Sequence, residues 1–247
     1  MYPQKHLKGW VTERRAITDE LWIVRLRPEE KINFAAGQYV TIGLPLDGKL
    51  VERPYSVASS TNDRELEFFL EVVPGGKLSP QLHDVPVGGE VQIRPAAKGR
   101  FQLDTQSGNR NHFMVATVTG VAPFVSMVRT LAGRGVPSLE KMVILQSASV
   151  SRELAYQEEL TSQAERASWF DYFPTISRAW LDPGWQGEMG RAEDVARKYL
   201  DSQGFGPVST TVYLCGNPHM IRNMEGILER AGYSKECVKR EIYWPAG

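Results

Sequence analysis

The sequence predicts two domains of different fold class, an antiparallel Greek-key β-barrel followed by a doubly wound parallel α/β sheet. The length of 247 residues suits two compact domains, and 42% hydrophobic residues supply material for two cores. Residues 6 to about 104 show short strands separated by turns, whereas residues after about 110 alternate apolar strands with helices. The polar run 104–111 separates them, so the predicted domains are 1–104 and 105–247.

The predicted barrel strands alternate apolar and polar side chains, most clearly at 21–26 and 39–42. Turns rich in glycine, such as Asp47-Gly48 and Gly88-Gly89, separate them. Several short strands at this spacing are typical of a closed or nearly closed antiparallel barrel. The predicted strands are Leu7–Ala16, Leu21–Leu26, Gln38–Leu44, Val51–Ala58, Leu66–Val73 and Glu90–Ile93.

The second half predicts a parallel sheet, because apolar strands alternate with helices long enough for crossover connections. Ligands of such sheets lie beyond the carboxyl ends of the strands. We therefore expect a cofactor at the loops 117–123, 147–152, 177–178 and 215–219. The predicted strands are His112–Ala116, Met142–Gln146, Asp171–Ile176 and Thr211–Leu214, and the predicted helices are Pro123–Leu131, Arg152–Arg166, Arg191–Leu200 and Pro218–Ala231.

Composition excludes several classes of function. Basic and acidic residues balance at 29 each, so no nucleic-acid-binding surface is predicted. No stretch approaches the ~18 apolar residues of a membrane span, and Met1–Gly9 lacks the apolar run of a leader. Two cysteines are too few for an iron–sulfur cluster, and four scattered histidines show no zinc-ligand spacing. We expect a cytoplasmic protein without a metal, whose electron chemistry must use an organic cofactor.

The stretch Arg53-Pro54-Tyr55-Ser56 places a guanidinium, an aromatic ring and a hydroxyl on one extended segment. Residues 53 and 55 should point to the same face. A guanidinium suits a pyrophosphate, a tyrosine ring can stack, and a serine can donate to a ring nitrogen, so the stretch fits a flavin dinucleotide. An edge strand with an unrelated arginine and tyrosine is the alternative.

Three further stretches have the composition of ligand-binding loops. Gly75–Ser79 opens onto a short predicted helix, Leu78–His83, so its backbone N–H groups and the Ser79 hydroxyl could hold an anion. Thr117–Pro123 and Leu214–Pro218 each join a buried strand to a helix through a tight turn, which lets a phosphate approach the helix. An ordinary hairpin turn, or an N-cap serine, remains the alternative for the first.

In chain order these motifs resemble those of the ferredoxin–NADP reductases, and the bacterial branch, also called flavodoxin reductases, is the most similar in length and ending. The resemblance covers essentially the whole chain. It rests on Arg53-x-Tyr55-Ser56, Gly76-x-x-Ser79, Thr119–Pro123, Cys215–Pro218 and Glu241-x-Tyr243.

The resemblance implies an FAD-binding barrel, an NADP-binding sheet and a carboxyl-terminal segment that covers the flavin. Implied FAD-binding residues are Arg53, Pro54, Tyr55, Ser56, Phe69, Leu70, Glu71, Val72, Gly76, Lys77, Leu78, Ser79, Thr117, Tyr243 and Trp244. Implied NADP-binding residues are Thr119, Gly120, Ser177, Arg178, Arg191, Cys215 and Gly216. The implied catalytic residues, which position the nicotinamide against the flavin, are Ser56, Cys215, Glu241 and Tyr243.

The implied function is that of an FAD-dependent oxidoreductase. It would move a hydride between NADPH and FAD, and single electrons between FAD and ferredoxin or flavodoxin, as a monomer. The flavin carries such chemistry, while the protein supplies orientation and electrostatics. Two alternatives stay open: an NADH-preferring reductase component of an oxygenase or a free-flavin reductase, and a non-catalytic FAD-binding electron-transfer subunit.

The chain departs from the family pattern at two positions. Val118 stands where the family usually has glycine, so we expect either a differently shaped loop or a valine packed into the core. Ser149 stands where many bacterial members have an arginine for the 2′-phosphate of NADPH, and Arg152 is a possible replacement. Three residues also follow the Tyr243-Trp244 pair.

Overall fold

The structure, a computed structural model, describes residues 6–134 and 139–243. The chain forms two compact units. Among the described residues, the first unit comprises those up to Leu103 together with Ala122–Arg134, and the second comprises Asp104–Val121 and the residues after 138. The sequence prediction of domains 1–104 and 105–247 assigned the segment 122–134 to the second domain. No helix within the described ranges is long and apolar enough to cross a membrane.

The first unit contains an antiparallel sheet in the order β4-β3-β6-β1-β2-β5. After the consecutive strands β3, β4 and β5, the chain returns to place β6 beside β3, and the edge strands β4 and β5 approach each other. This order confirms the predicted Greek-key barrel. The strands are β1 (Leu7–Ala16), β2 (Leu21–Pro28), β3 (Tyr39–Leu46), β4 (Lys49–Ser56), β5 (Leu66–Glu71) and β6 (Glu90–Ile93).

Alternating side chains fill the barrel. Trp22, Val24 and Leu26 of β2 point inward, as do Leu66, Phe68 and Leu70 of the neighbouring β5. The predicted turn at Asp47-Gly48 is confirmed, since both residues have positive φ, 50° and 73°, as a two-residue hairpin of this type requires. The short helix α1 (Ser79–His83) follows β5, and Leu82 anchors it in the same core.

Helix α2 (Ala122–Arg134) is bonded to the outside of this barrel. Arg129 donates to the Glu67 carboxylate at 2.8 Å and to the Ala58 carbonyl at 3.0 Å. The same carboxylate, whose side chain is only 5% exposed, accepts from Arg25 at 2.7 Å. The Ser126 hydroxyl donates to the Ser59 carbonyl at 2.8 Å. These polar bonds explain why α2 groups with the first unit although the strand that precedes it belongs to the second.

The second unit contains a parallel sheet in the order β10-β9-β8-β7-β11-β12. The chain builds β7, β8, β9 and β10 outward and then returns to the other side of β7, which confirms the predicted doubly wound order. The strands are β7 (Asn111–Thr117), β8 (Lys141–Ala148), β9 (Phe170–Ile176), β10 (Glu188–Met189), β11 (Thr210–Gly216) and β12 (Val238–Ile242). The helices are α3 (Gln157–Arg166), α4 (Ala192–Ser202) and α5 (Pro218–Arg230).

One predicted helix is wrong at its start. The prediction began it at Arg152, but a short 3-10 turn covers Ser151–Glu153 and α3 begins only at Gln157. The Glu153 carboxylate accepts from the Ser149 backbone N–H at 2.8 Å, and Tyr156 has a positive φ of 68°. These two features favour a loop over a helical turn here.

Candidate functional site

In the first unit, the Arg53–Ser56 stretch lies on the edge strand β4, so the predicted extended conformation is confirmed. Arg53 and Tyr55 lie on one face of β4. They pair across the sheet with the core residues Ile42 and Val40 of β3, respectively. Arg53 is exposed and donates to the neighbouring Glu52 carbonyl at 2.8 Å. Burial raises the pKa of Tyr55 to about 12 against the opposing charge of Arg53, so the phenol is neutral. Ser56, at the strand end, is buried.

The second flavin candidate, Phe69–Val72, lies at the other edge of the sheet. Ala58, two residues after β4, donates to the Glu67 carbonyl of β5 at 2.8 Å, so the two edge segments meet. Leu70 points into the core, whereas Glu71 is exposed. The Leu70 side chain therefore cannot reach a ligand, and only its backbone remains for that purpose.

The Gly75–Ser79 loop is closed by hydrogen bonds to Val73. Gly76 donates to the Val73 carbonyl at 2.8 Å, and the Ser79 hydroxyl accepts from the Val73 N–H at 2.9 Å. A Cβ at Gly76 would lie 2.9 Å from the Val73 carbonyl oxygen, so the loop requires glycine there. Lys77 is exposed, while Leu78 is buried in the barrel core. The positive charges of this loop and of the Arg53–Ser56 stretch are those of Lys77 and Arg53, which are both exposed.

In the second unit, two loops pack backbone against backbone at the switch point between β7 and β11. The Thr117 hydroxyl accepts from the Asn217 N–H at 2.7 Å. A Cβ at Gly120 would lie 2.4 Å from the Cys215 carbonyl oxygen, and one at Gly216, whose φ is 119°, would lie 2.2 Å from the Thr117 hydroxyl oxygen. Both glycines are therefore required by close approach. Ligands of doubly wound sheets bind at such switch points.

The hydrogen bond between Thr117 and Asn217 was not predicted from the sequence. That Thr117 borders FAD, as the resemblance implies, stays a prediction; in the structure the Thr117 hydroxyl holds the loop that follows β11. The Asn217 side chain in turn accepts from His219 at 2.8 Å and caps α5. The Cys-Gly-Asn-Pro motif could have indicated the cap, because asparagine before proline is typical of a helix start.

Val118 keeps a backbone conformation typical of glycine. Its φ is 45°, and its side chain packs against a cluster of Ala148, Leu154 and Ile176. The expectation that this valine packs into the core is confirmed. The valine therefore holds a strained backbone conformation at the start of the loop 117–123.

Three of the four implied catalytic residues meet at the carboxyl edge of the parallel sheet. Glu241 on β12 pairs with Cys215 on β11, and the Tyr243 N–H donates to the Gly216 carbonyl at 3.3 Å. Burial and the Glu241 charge raise the pKa of the Cys215 thiol well above its usual value, against a hydrogen bond with Tyr243 that lowers it. The thiol is therefore neutral and is not a nucleophile. Trp244 lies outside the described residues.

The candidates for the 2′-phosphate lie at one edge. Ser177 and Arg178 directly follow β9, where their N–H groups donate to the Ala148 and Ser149 carbonyls, each at 2.9 Å. β10 pairs with the end of β9, and Arg191 follows β10 by two residues. The Arg178 and Arg191 side chains are both exposed. Arg152, the possible replacement at the Ser149 position, is also exposed, in the 3-10 turn.

Two family models match the chain in succession. Residues 9–103 match the oxidoreductase FAD-binding domain, and residues 114–226 match the oxidoreductase NAD-binding domain. The two matches fall on the strands of the barrel and of the parallel sheet, respectively.

Relatives of two kinds match. The chain is 30% identical over 226 residues to the flavodoxin/ferredoxin–NADP reductase of Escherichia coli (strain K12), covering 88% of this chain and 87% of that one. It is also 30% identical over 224 residues to the reductase component of phenol 2-monooxygenase from Pseudomonas sp. (strain CF600), covering 89% of this chain but 60% of that one.

The fold is shared with a crystal structure of a ferredoxin NADP+ reductase from Neisseria gonorrhoeae with bound FAD and NADP. The TM-score is 0.86 at 22% identity, and the alignment covers 98% of this chain and 100% of that chain.

Proposed function

The chain belongs to the flavodoxin/ferredoxin–NADP reductase family, and from this membership we propose the roles of its residues in an FAD-dependent exchange of electrons between NADPH and a small electron carrier. The protein is an oxidoreductase with FAD and NADP(H) as cofactors. The observation that most supports the proposed roles is the meeting of Cys215, Glu241 and Tyr243 at the switch-point edge of the sheet. We propose ferredoxin or flavodoxin as the carrier, and a cytoplasmic monomer as the working form.

The barrel residues are proposed to hold FAD. The exposed Arg53 guanidinium offers a planar fork to the pyrophosphate, and the half-buried Tyr55 ring offers a face to a flat ring. The Gly76–Ser79 loop would bind a phosphate through the backbone N–H groups that follow Gly76, whose own N–H is bonded to Val73, with Lys77 adding a positive charge. The strand Phe69–Val72 would border the ring through its backbone. When bound, FAD supplies the conversion between two-electron and one-electron transfer.

The second unit is proposed to hold and orient the nicotinamide dinucleotide. The switch-point loops that carry Thr119, Gly120 and Gly216 would receive the pyrophosphate, and the two glycines let these loops approach each other closely. Cys215, Glu241 and Tyr243 would orient the nicotinamide, and Ser56 of the barrel would hydrogen-bond to the flavin near N5. The neutral thiol suits this role, because orientation requires contact and not a charge.

Recognition of the 2′-phosphate is proposed for Ser177, Arg178 and Arg191. Two guanidinium groups at one sheet edge can form charge-assisted hydrogen bonds to a phosphate. Both arginine side chains are exposed, so a phosphate in solution can reach them.

A reconstituted electron-transfer assay tests this function. The purified yellow protein, with NADPH, should reduce a bacterial ferredoxin or flavodoxin, followed through reduction of cytochrome c. FAD content near one per chain is the accompanying control. A protein that retains FAD but passes no electrons from NADPH or NADH would favour the non-catalytic subunit instead.

The NADH-preferring oxygenase reductase remains a second candidate, favoured by Ser149 and by the match to a monooxygenase reductase component. Position 149 itself carries a serine and not an arginine, and the Ser149 backbone N–H is held by the Glu153 carboxylate. A larger kcat/KM for NADH than for NADPH would support this candidate.

A further inference from the structure

Val118 is the residue whose backbone conformation agrees least with its type. A φ of 45° is uncommon for any residue but glycine, and for a β-branched residue it is an outlier. Such a conformation persists only where the surroundings determine it, and it is concentrated at functional sites.

The Val118 side chain contacts the point at which two other loops begin. It packs against Ala148 and Ile176, which are the last residues of β8 and β9, and against Leu154. Ala148 also accepts from the Ser177 N–H at 2.9 Å. The side chain is therefore tied to the loops that carry Ser177 and Arg178.

The backbone around Val118 belongs to a different pair of loops. The preceding Thr117 holds Asn217 through its hydroxyl at 2.7 Å, and the nearby Gly120 packs on the Cys215 carbonyl. One strained residue therefore lies between the loop pair after β7 and β11 and the loop pair after β8 and β9.

We propose that Val118 is a positioning residue that fixes the spacing between these two loop pairs, and thereby between the two halves of the dinucleotide-binding site. The inference rests on the proposed function. One loop pair carries Thr119, Gly120 and Cys215, and the other carries Ser177 and Arg178. A dinucleotide must engage both halves at once, so its affinity depends on their spacing, whereas a fragment that binds one half is insensitive to it.

The test compares NADP+ with 2′,5′-ADP, a fragment that reaches only the Arg178 half. Val118→Gly frees the backbone and removes the packing, so NADP+ should bind about tenfold more weakly while 2′,5′-ADP changes by less than about twofold. Val118→Ala should show the same split with a smaller loss. Val118→Ile, which keeps the branch at Cβ, should bind both ligands as the wild type does.

Isothermal titration calorimetry on the oxidised, FAD-containing proteins measures these affinities, and FAD content reports whether each variant folds. Equal losses for both ligands would indicate general damage and overturn the inference. Unchanged NADP+ affinity in both the glycine and alanine variants would also overturn it, while the proposed function stands. A wild type that binds no NADP+ would overturn both.

Discussion

Val118 combines two effects of opposite sign on stability. A β-branched residue in the left-handed region costs about 1–2 kcal/mol, whereas packing its partly buried methyl groups recovers about 1 kcal/mol. Glycine removes the strain together with the packing, but alanine loses packing and keeps much of the strain. At this position we therefore expect the usual order of stability, in which the alanine variant exceeds the glycine variant, to be reversed.

We therefore expect Val118→Gly to be more stable than Val118→Ala by about 1 kcal/mol, although glycine usually costs stability relative to alanine. The Tm values of the two FAD-containing variants, measured by calorimetry under identical conditions, decide the order. An alanine variant with the higher Tm would show that the backbone at this position is not strained.

Arg178 should distinguish NADPH from NADH. Loss of a hydrogen bond to a charged group costs about 1.5–3 kcal/mol, so Arg178→Ala should raise KM for NADPH about tenfold or more. KM for NADH, which lacks the 2′-phosphate, should stay nearly constant. Arg197→Ala is the matched control, because Arg197 is an exposed arginine of the same unit that pairs with Asp201. Equal losses for both nucleotides in Arg178→Ala would remove Arg178 from the phosphate site.

His112 should make the second unit sensitive to acid. Its Nδ1 lies 3.0 Å from the Tyr213 hydroxyl oxygen, and burial lowers its pKa to about 4, against the attraction of Asp104. Because the pKa is about 6.5 when unfolded, the unfolded chain takes up the proton first. Stability is full above that pH and falls by about 3 kcal/mol as the pH drops through the window from 6.5 to 4.

His112→Asn offers the test, because asparagine can still accept from Tyr213 but does not titrate. The free energy of unfolding of the wild type should fall more steeply between pH 6.5 and 4 than that of the variant, by about 1.4 kcal/mol per pH unit. Urea titrations at several pH values measure both slopes. Parallel slopes would mean that His112 titrates normally in the folded protein.

At the scale of elements, α2 depends on an ion-pair cluster in which the buried Glu67 carboxylate pairs with Arg129 of the helix and with Arg25, whose side chain is 45% exposed. Removing one partner of such a cluster leaves a buried charge incompletely paired, so Arg129→Met should destabilise the first unit by about 3 kcal/mol. Arg134→Met is the control, because Arg134 on the same helix bonds only the exposed Asn62 amide among the described residues. Thermal unfolding of both variants compares them, and equal Tm values would show that the cluster does not hold α2.

The elements with regular periodicity could be predicted from the sequence, and those without it could not. Ten of the twelve strands in the described part of the chain were predicted, because apolar runs or alternation mark them. β10 has only two residues, and β12, with the sequence VKREI, carries three charged residues. The start of α3 was mispredicted, because nothing in the local sequence shows that Glu153 bonds back to Ser149.

The same distinction holds for the candidate site, where local motifs could be predicted and long-range contacts could not. The motifs placed Arg53 and Tyr55 on their strand and Cys215 at the carboxyl end of its strand, because residue type and turn chemistry determine those positions, whereas the strand that carries Glu241 was not predicted. The hydrogen bond from Asn217 to Thr117 spans 100 residues, and the positive φ of Val118 contradicts its residue type. Neither feature can be read from a local pattern, since both depend on tertiary packing.

For the whole molecule, the central property is that the chain takes reducing equivalents from NADPH into FAD. The two matched family models and the two described sheets support the same division of labour, with FAD on the barrel and the nucleotide on the parallel sheet. The balanced charge of the chain gives no further indication of which protein is its electron carrier.

The most direct test is an anaerobic titration of the purified protein with NADPH and, separately, with NADH, followed through bleaching of the flavin absorbance. We expect a yellow protein whose flavin absorbance is bleached rapidly by NADPH. Bleaching by NADH should be at least about tenfold slower, which is the factor expected from one charge-assisted contact. Faster bleaching by NADH would contradict the assigned 2′-phosphate site and favour the oxygenase reductase. A protein without FAD, or one whose flavin neither nucleotide bleaches, would contradict the transfer of reducing equivalents from NADPH into FAD.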